Sequence, residues 1–434
     1  MSILFQNITV VTMDPLQPVL HNAFVATEGK KISYVGTTRP EGMFERTIEG
    51  AGKVLMPGLI NAHTHLPMTL MRGYGGGCSL QTWLNEYIFP AEDKLDSRCV
   101  QAGVALSLCE LIASGVTAVA DMYYFCPDVA KMVAQSGISA NISRSVTAFA
   151  PVDDPENYYS CVEQRELTEE WNGYNDGQIQ VDVSIHAEYT SYNAPKIWTY
   201  LGDYAARENL GMHVHISETK SEHEECLARH GKTPIALLDE YGVWQNGGMA
   251  AHCVWITPED MTLMAQRNIS AIHNPVSNLK LASGIAPTPA MLQAGVNVAL
   301  GTDGVASNNS HDMFEEIKMA SQLQKGLSYD PTVVPARTAL EMATVNGAKA
   351  LRRNTGVVAV GKDADLIMLD FHAPNLFPCH DVEENLVYSA HGGNVVMNMA
   401  RGKVIYEKGE FKTLDLERIR TEMREYALPK IFGA

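Results

Sequence analysis

Eight short apolar segments, spread over residues 54–303, most constrain what this chain can fold into. In order they read VLMPGLINAH, TAVADMY, ISANISRSV, IQVDVSIHA, GMHVHISE, MAAHCVWI, SAIHNPV and VNVALGTD. Longer stretches with helical patterning separate most of them, such as 97–115 and 194–208. Apolar strands alternating with helices indicate a parallel sheet covered on both faces. Eight of them fit a closed (β/α)₈ barrel better than an open sheet. The two ends have another rhythm. ILFQNITVVTM reads as a strand, AFVAT and KISYVG as a hairpin, and ADLIMLD, NVVMNMA and VIYEKGEF as further strands. The fold class expected is α/β, a TIM barrel at 57–357. A small β-sandwich domain formed by both termini, 1–56 plus 358–434, accompanies it.

In such a barrel the C-terminal strand ends converge on one mouth, where active sites sit. His63 and His65 end the first segment, His215 and Glu218 the fifth, and Asp303 the eighth, with His252 in the sixth. Alternate residues of a strand face one side, so the two imidazoles of His63-Thr64-His65 can grip one cation. Without a cation they would simply be polar residues lining the barrel. His213-Val214-His215 repeats the pattern, and only one member is needed as a ligand. His213 reads as a core histidine or as a residue behind the ligands; the roles of His213 and His273 stay open. An acid after the apolar run VNVAL is costly to bury unless paired or bound to a cation. The helix that Asp303 could otherwise cap begins only near Asp312.

Composition narrows the class of partner. Of 434 residues, 46% are hydrophobic and 19% charged, which supplies a core and excludes pervasive disorder. A net charge of −17 repels nucleic acid and anionic membranes. The eight cysteines form no C-x-x-C pair and no disulfide framework, which suits reduced thiols in the cytoplasm. The N-terminus lacks the basic start of a signal peptide, and Gln101, Glu110 and Asp121 interrupt the apolar stretch 100–125. A soluble cytoplasmic enzyme acting on a small molecule is expected, and a homo-oligomer is compatible with it.

Taken together, PGLINAHTH, HISE, the lone His252, HNPVSNLKLASG, GTDGVASNN and GKDADLIMLD resemble the amidohydrolase superfamily. They are most similar to its branch of 5′-methylthioadenosine/S-adenosylhomocysteine deaminases, and the resemblance covers nearly the whole chain. It implies a barrel with a flanking β-sandwich and one divalent metal per chain. Zn²⁺ is the metal first expected, with Fe²⁺ and Mn²⁺ able to use the same donors. By position, the implied ligands are His63, His65, His215 and Asp303. Glu218, His252 and Asp303 are the implied catalytic groups: Asp303 takes a proton from water, His252 orients it, and Glu218 protonates the purine ring. Binuclear members use a bridging lysine, and neither ISANISRSV nor IQVDVSIHA contains one.

The resemblance also implies that Trp83, Glu92, Arg144, His186, Glu218 and Ser307 line the substrate site, with Glu92 on the ribose hydroxyls. Trp83 has the simpler reading of an anchor for its own loop. Relatives acting on S-adenosylhomocysteine often hold its carboxylate with a second Arg soon after the strand-three Arg. Here none follows Arg144 until Arg165, and Asp153, Asp154 and Glu156 intervene. A neutral 5′-methylthioadenosine or adenosine is therefore expected to be preferred. Two other readings remain: a hydrolase of the same barrel acting on a free base, pterin or chlorotriazine, and a metal-binding scaffold without catalysis.

Overall fold

The computed structural model describes residues 2–433. Its centre is a barrel of eight parallel strands: Leu59–Thr64, Val116–Tyr123, Ser139–Val146, a broken fourth (Ile179–Val181 and Val183–Ile185), Met212–Ile216, Gly248–His252, Ile269–His273 and Val298–Leu300. These strands are buried almost throughout, as expected of a sheet with helices outside it. The long helices Ser97–Ala113, Cys126–Ser136, Tyr159–Trp171, Pro195–Arg207 and Met313–Ser328 lie in the connections.

The barrel closes without a regular ladder between its eighth and first strands. Instead the Asp303 N–H donates to the His63 carbonyl at 3.0 Å, and the Asn61 side chain takes the Thr302 N–H at 3.0 Å. Gly301 sits at this seam, where a Cβ would come within 2.6 Å of Asn274 Oδ1 and 2.8 Å of His63. The seam therefore fixes the spacing between His63 and Asp303.

Segments from both termini form a separate nine-stranded sheet. Its strands run from Ser2–Val11 to Lys53–Pro57 and from Leu366–Asp370 to Glu410–Phe411, around a core that includes Ile3, Phe5, Leu55, Leu366 and Met399. The run VLMPGLINAH, read from the sequence as one strand, is two: Lys53–Pro57 belongs to the terminal sheet and Leu59–Thr64 to the barrel. The chain changes sheet at Gly58, where a Cβ would collide with Thr117 at 2.2 Å. The fourth strand breaks at Asp182, whose carboxylate accepts from Asn141 Nδ2 at 2.9 Å. Its first half pairs with strand three and its second with strands three and five.

The last helices, Leu416–Glu422 to Leu428–Phe432, pack away from the terminal sheet's core. Met423, Ala427 and Ile431 join an apolar cluster with Met68, Trp83, Ile88 and Ala91, beside the barrel mouth. Among the described residues, no helix is long and apolar enough to cross a membrane.

Candidate active site

At the barrel mouth, four side chains point donor atoms at one another. His65 Nε2 lies 3.1 Å from Asp303 Oδ1 and 3.3 Å from His215 Nε2, and His63 Nε2 lies 3.4 Å from the same Asp303 oxygen. Each ring is held from behind. His65 Nδ1 donates to the Met122 carbonyl at 2.6 Å, and His215 Nδ1 to the His186 carbonyl at 2.7 Å. His63 Nδ1 shares a proton with His213 Nε2 at 2.9 Å. His213 thus acts behind the cluster, while both ring nitrogens of the buried His273 lack a hydrogen-bond partner. These contacts hold the rings with each Nε2 turned inward.

Burial pushes His63 down to about 4 and His215 well below its ordinary value, so both are neutral imidazoles. Burial also opposes a charge on His65, but Asp303 and the Met122 carbonyl outweigh it and hold the ring up at about 9. For Asp303, burial works against the carboxylate, yet His63 and His65 hold it well below the usual range. Two hydroxyls fix its other oxygen: Ser277 Oγ and Ser307 Oγ each lie 2.7 Å from Asp303 Oδ2. The buried His63 Nε2 has no hydrogen-bond partner. A lone pair aimed at a carboxylate oxygen is costly unless a cation lies between them. The donors of His63, His65 and Asp303 lie within 4.8 Å of one another, as do those of His63, His215 and His252. This donor set fits a divalent cation.

Glu218 and His252 face each other across the same space, Glu218 Oε2 lying 3.8 Å from His252 Nε2. Burial raises the Glu218 pKa, and Ser283 Oγ donates to its Oε1 at 3.0 Å. The Asn278 side-chain oxygen accepts from His252 Nδ1 at 2.8 Å. Backbone strain gathers here: His252, Asp303 and Ser217 have φ of 73°, 63° and 48°. The Ser217 turn is pinned by buried Glu222, whose two oxygens accept from the Ser217 and Glu218 N–H groups at 2.8 Å each.

A cavity opens from these groups, lined by Trp83, Glu92, Tyr123, His186, Leu281 and Ser307 among others. Trp83 does two jobs, since its indole N–H donates to the Tyr74 carbonyl at 3.0 Å while the ring lines the cavity. Glu92 accepts from the Tyr123 hydroxyl through Oε1, and burial pushes its pKa up to about 7. His186 Nδ1 is buried without a partner, and burial holds the ring at about 3. Arg144 lines a second chamber that shares Phe89, Glu92, Tyr124 and His186 with the first. Asp153, Asp154 and Glu156 line neither space. Arg165 is tied to the Glu156 carbonyl at 2.7 Å and the Tyr200 hydroxyl at 2.6 Å.

The sequence reading named the groups that meet at the centre and, behind them, His213; Ser307 it named only for the substrate, although its hydroxyl also holds Asp303. Ser277, Asn278 and Ser283 lay within HNPVSNLKLASG without assigned roles. Glu222 carried one signal: a second carboxylate four residues after Glu218, in the first turn of a helix. Acids there satisfy free N–H groups.

A family profile described as the amidohydrolase family matches residues 54–405. A 5-methylthioadenosine/S-adenosylhomocysteine deaminase from Caldanaerobacter subterraneus subsp. tengcongensis is 43% identical over 435 residues, covering 100% of this chain and 99% of the relative. A 5′-deoxyadenosine deaminase from Methanosarcina acetivorans is 41% identical over 425 residues, covering 98% of this chain and 97% of its own. Among solved structures, a zinc-bound adenosine deaminase from Xanthomonas campestris superposes with a TM-score of 0.93 at 32% identity, covering 100% of this chain and 99% of that one.

Proposed function

We propose, for a chain that belongs to the amidohydrolase family, hydrolytic deamination of the 6-amino group of an adenosine-type nucleoside, giving the inosine form and ammonia. Full-length similarity to enzymes named for this activity supports the reading. The observation that carries it is one cavity with Glu218, His252 and Asp303 at its floor and Glu92 on its wall. A base fits against the first three, and a ribose diol against Glu92. The clustered donors and the family support a divalent metal. Zn²⁺ is the ion we favour for three imidazoles and a carboxylate.

In this reading His63, His65, His215 and Asp303 hold the metal. When bound, such an ion polarises water and lowers its pKa toward about 7. Asp303 takes the proton lost by the attacking water and passes it to the amine, which leaves as ammonia; its other oxygen is steadied by Ser277 and Ser307. Burial raises the Glu218 pKa and so favours the protonated carboxyl, which delivers its proton to the ring nitrogen beside the amine-bearing carbon. His252, oriented by Asn278, faces the developing charge. The buried cavity excludes bulk water, which strengthens each of these interactions. Trp83 and His186 pack against the nucleoside.

The test is a panel of adenosine, 5′-methylthioadenosine, S-adenosylhomocysteine, guanine and a pterin, read by ammonia release from metal-loaded protein. Turnover confined to the nucleosides is expected. Glu218→Gln should lower kcat by roughly 10²–10⁴, the usual worth of acid–base catalysis, while keeping its metal. Best turnover of guanine or the pterin overturns the substrate class, and no turnover of any compound indicates a metal-binding scaffold.

A further inference from the structure

We propose that Glu163 restricts the substrate's 5′ substituent to neutral groups by occupying the guanidinium of Arg144; this rests on the deaminase reading above. The inner cavity and the outer chamber meet along Phe89, Glu92, Tyr124 and His186. A nucleoside with its base over Glu218 and its ribose on Glu92 sends its 5′ carbon into the outer chamber. Phe89, Tyr124, Phe149 and Tyr159 supply apolar faces there, Arg144 is the cation among its lining residues, and Glu92 and Asp93 are its acids.

That cation is already engaged. Arg144 Nε donates to Glu163 Oε2 at 2.6 Å, and a terminal nitrogen donates to the Ser145 carbonyl. The guanidinium carbon lies 4.9 Å from the Tyr124 ring centre and 5.8 Å from that of Tyr159. The Arg144 side chain is 8% exposed and that of Glu163 51%. A nearly buried cation does not readily give up its partner, because an unpaired buried charge is costly. On the far side of the pair a further pocket is lined by Asp128, Glu163, Glu166 and Glu170 together with Arg144, so acids outnumber cations around the guanidinium. A ligand carboxylate must displace Glu163 or add a second negative charge to one guanidinium. A methylthio, methyl or hydroxymethyl end needs only the aromatic faces. The like charges that an anionic tail meets are thus Asp93 on the chamber wall and Glu163 on the far side of the Arg144 guanidinium, and not the 153–156 stretch that the sequence pointed to.

Glu163→Gln keeps the shape and removes the charge. Full-length, metal-loaded protein is compared with this variant on 5′-methylthioadenosine and S-adenosylhomocysteine, by kcat/KM and by calorimetric Kd. The unaltered protein is expected to favour 5′-methylthioadenosine by about tenfold or more, the worth of a charge-assisted hydrogen bond. In Glu163→Gln that ratio should shift toward S-adenosylhomocysteine by a similar factor, and adding Arg144→Met should abolish the shift. Glu163→Ala, at a half-exposed helical position, repeats the charge removal should the first variant fold poorly. An unmoved ratio overturns the proposal. So does a loss of S-adenosylhomocysteine binding, which would make Glu163 the holder of the tail's ammonium group. Tight nucleoside binding without ammonia release sinks the deaminase reading alone, since the Kd ratio still decides the role of Glu163.

Discussion

Glu92 illustrates how burial tunes a carboxyl on the cavity wall. Burial holds its carboxyl at about 7, well above the usual carboxylate range, although the Tyr123 hydroxyl favours the charged form. The ionised group accepts from a ribose diol through both oxygens and with charge assistance, whereas the protonated one turns an O–H towards it. The ionised form is lost as pH falls through 7, so KM for a nucleoside should rise on the acid side of neutrality. A KM–pH profile checks this, and the step should vanish in Glu92→Gln, whose KM should be high throughout. Glu222 works one step removed. Its two oxygens place the turn that carries Glu218, a role visible only once residues 217 to 222 are folded. At this scale the sequence revealed the groups that meet at the centre, because H-x-H spacing and isolated acids after apolar runs are unusual. It hid their supports, since Asn278 lies 26 residues from His252 and Ser283 lies 65 from Glu218. No local period encodes such contacts.

Between elements, the seam from strand eight to strand one sets the site. Gly301 has no room for a side chain, with Asn274 Oδ1 and His63 on either side of the position a Cβ would take. Gly301→Ala should destabilise the fold by about 1–3 kcal/mol, the usual cost of overpacking. It should also weaken metal binding by moving His63 from Asp303. Calorimetric unfolding together with metal analysis reads both effects. Strand positions were legible because buried parallel strands are apolar runs. Two boundaries were not. VLMPGLINAH is apolar on both sides of Gly58, so hydropathy alone could not show the change of sheet. IQVDVSIHA hides its break because Asp182 is satisfied by Asn141, on a neighbouring strand.

Across the whole molecule, the last helices reach the segment whose Trp83 lines the inner cavity. Met423, Ala427 and Ile431 pack in the cluster that contains Trp83 and Ile88. Lys430 and Tyr426 both bond Asp96, each at 2.6 Å, and Asp96 caps the helix beginning at Ser97. Met423→Ala combined with Ile431→Ala should therefore raise nucleoside KM several-fold while metal content stays unchanged, as steady-state kinetics with metal analysis would reveal. Loss of metal instead would mean that these helices support the barrel as a whole. Contact between residues more than 300 positions apart could not be read from the sequence. The paired β-rich ends hinted only at the terminal sheet. The central claim is one catalytic metal, held by His63, His65, His215 and Asp303, serving a nucleoside deaminase. Titrating Zn²⁺ into metal-free protein, while following ammonia release from 5′-methylthioadenosine, tests it most directly. Activity should rise and level off at about one equivalent per chain, and His65→Ala should neither retain the metal nor gain activity. Turnover independent of metal, or a break near two equivalents, would contradict it.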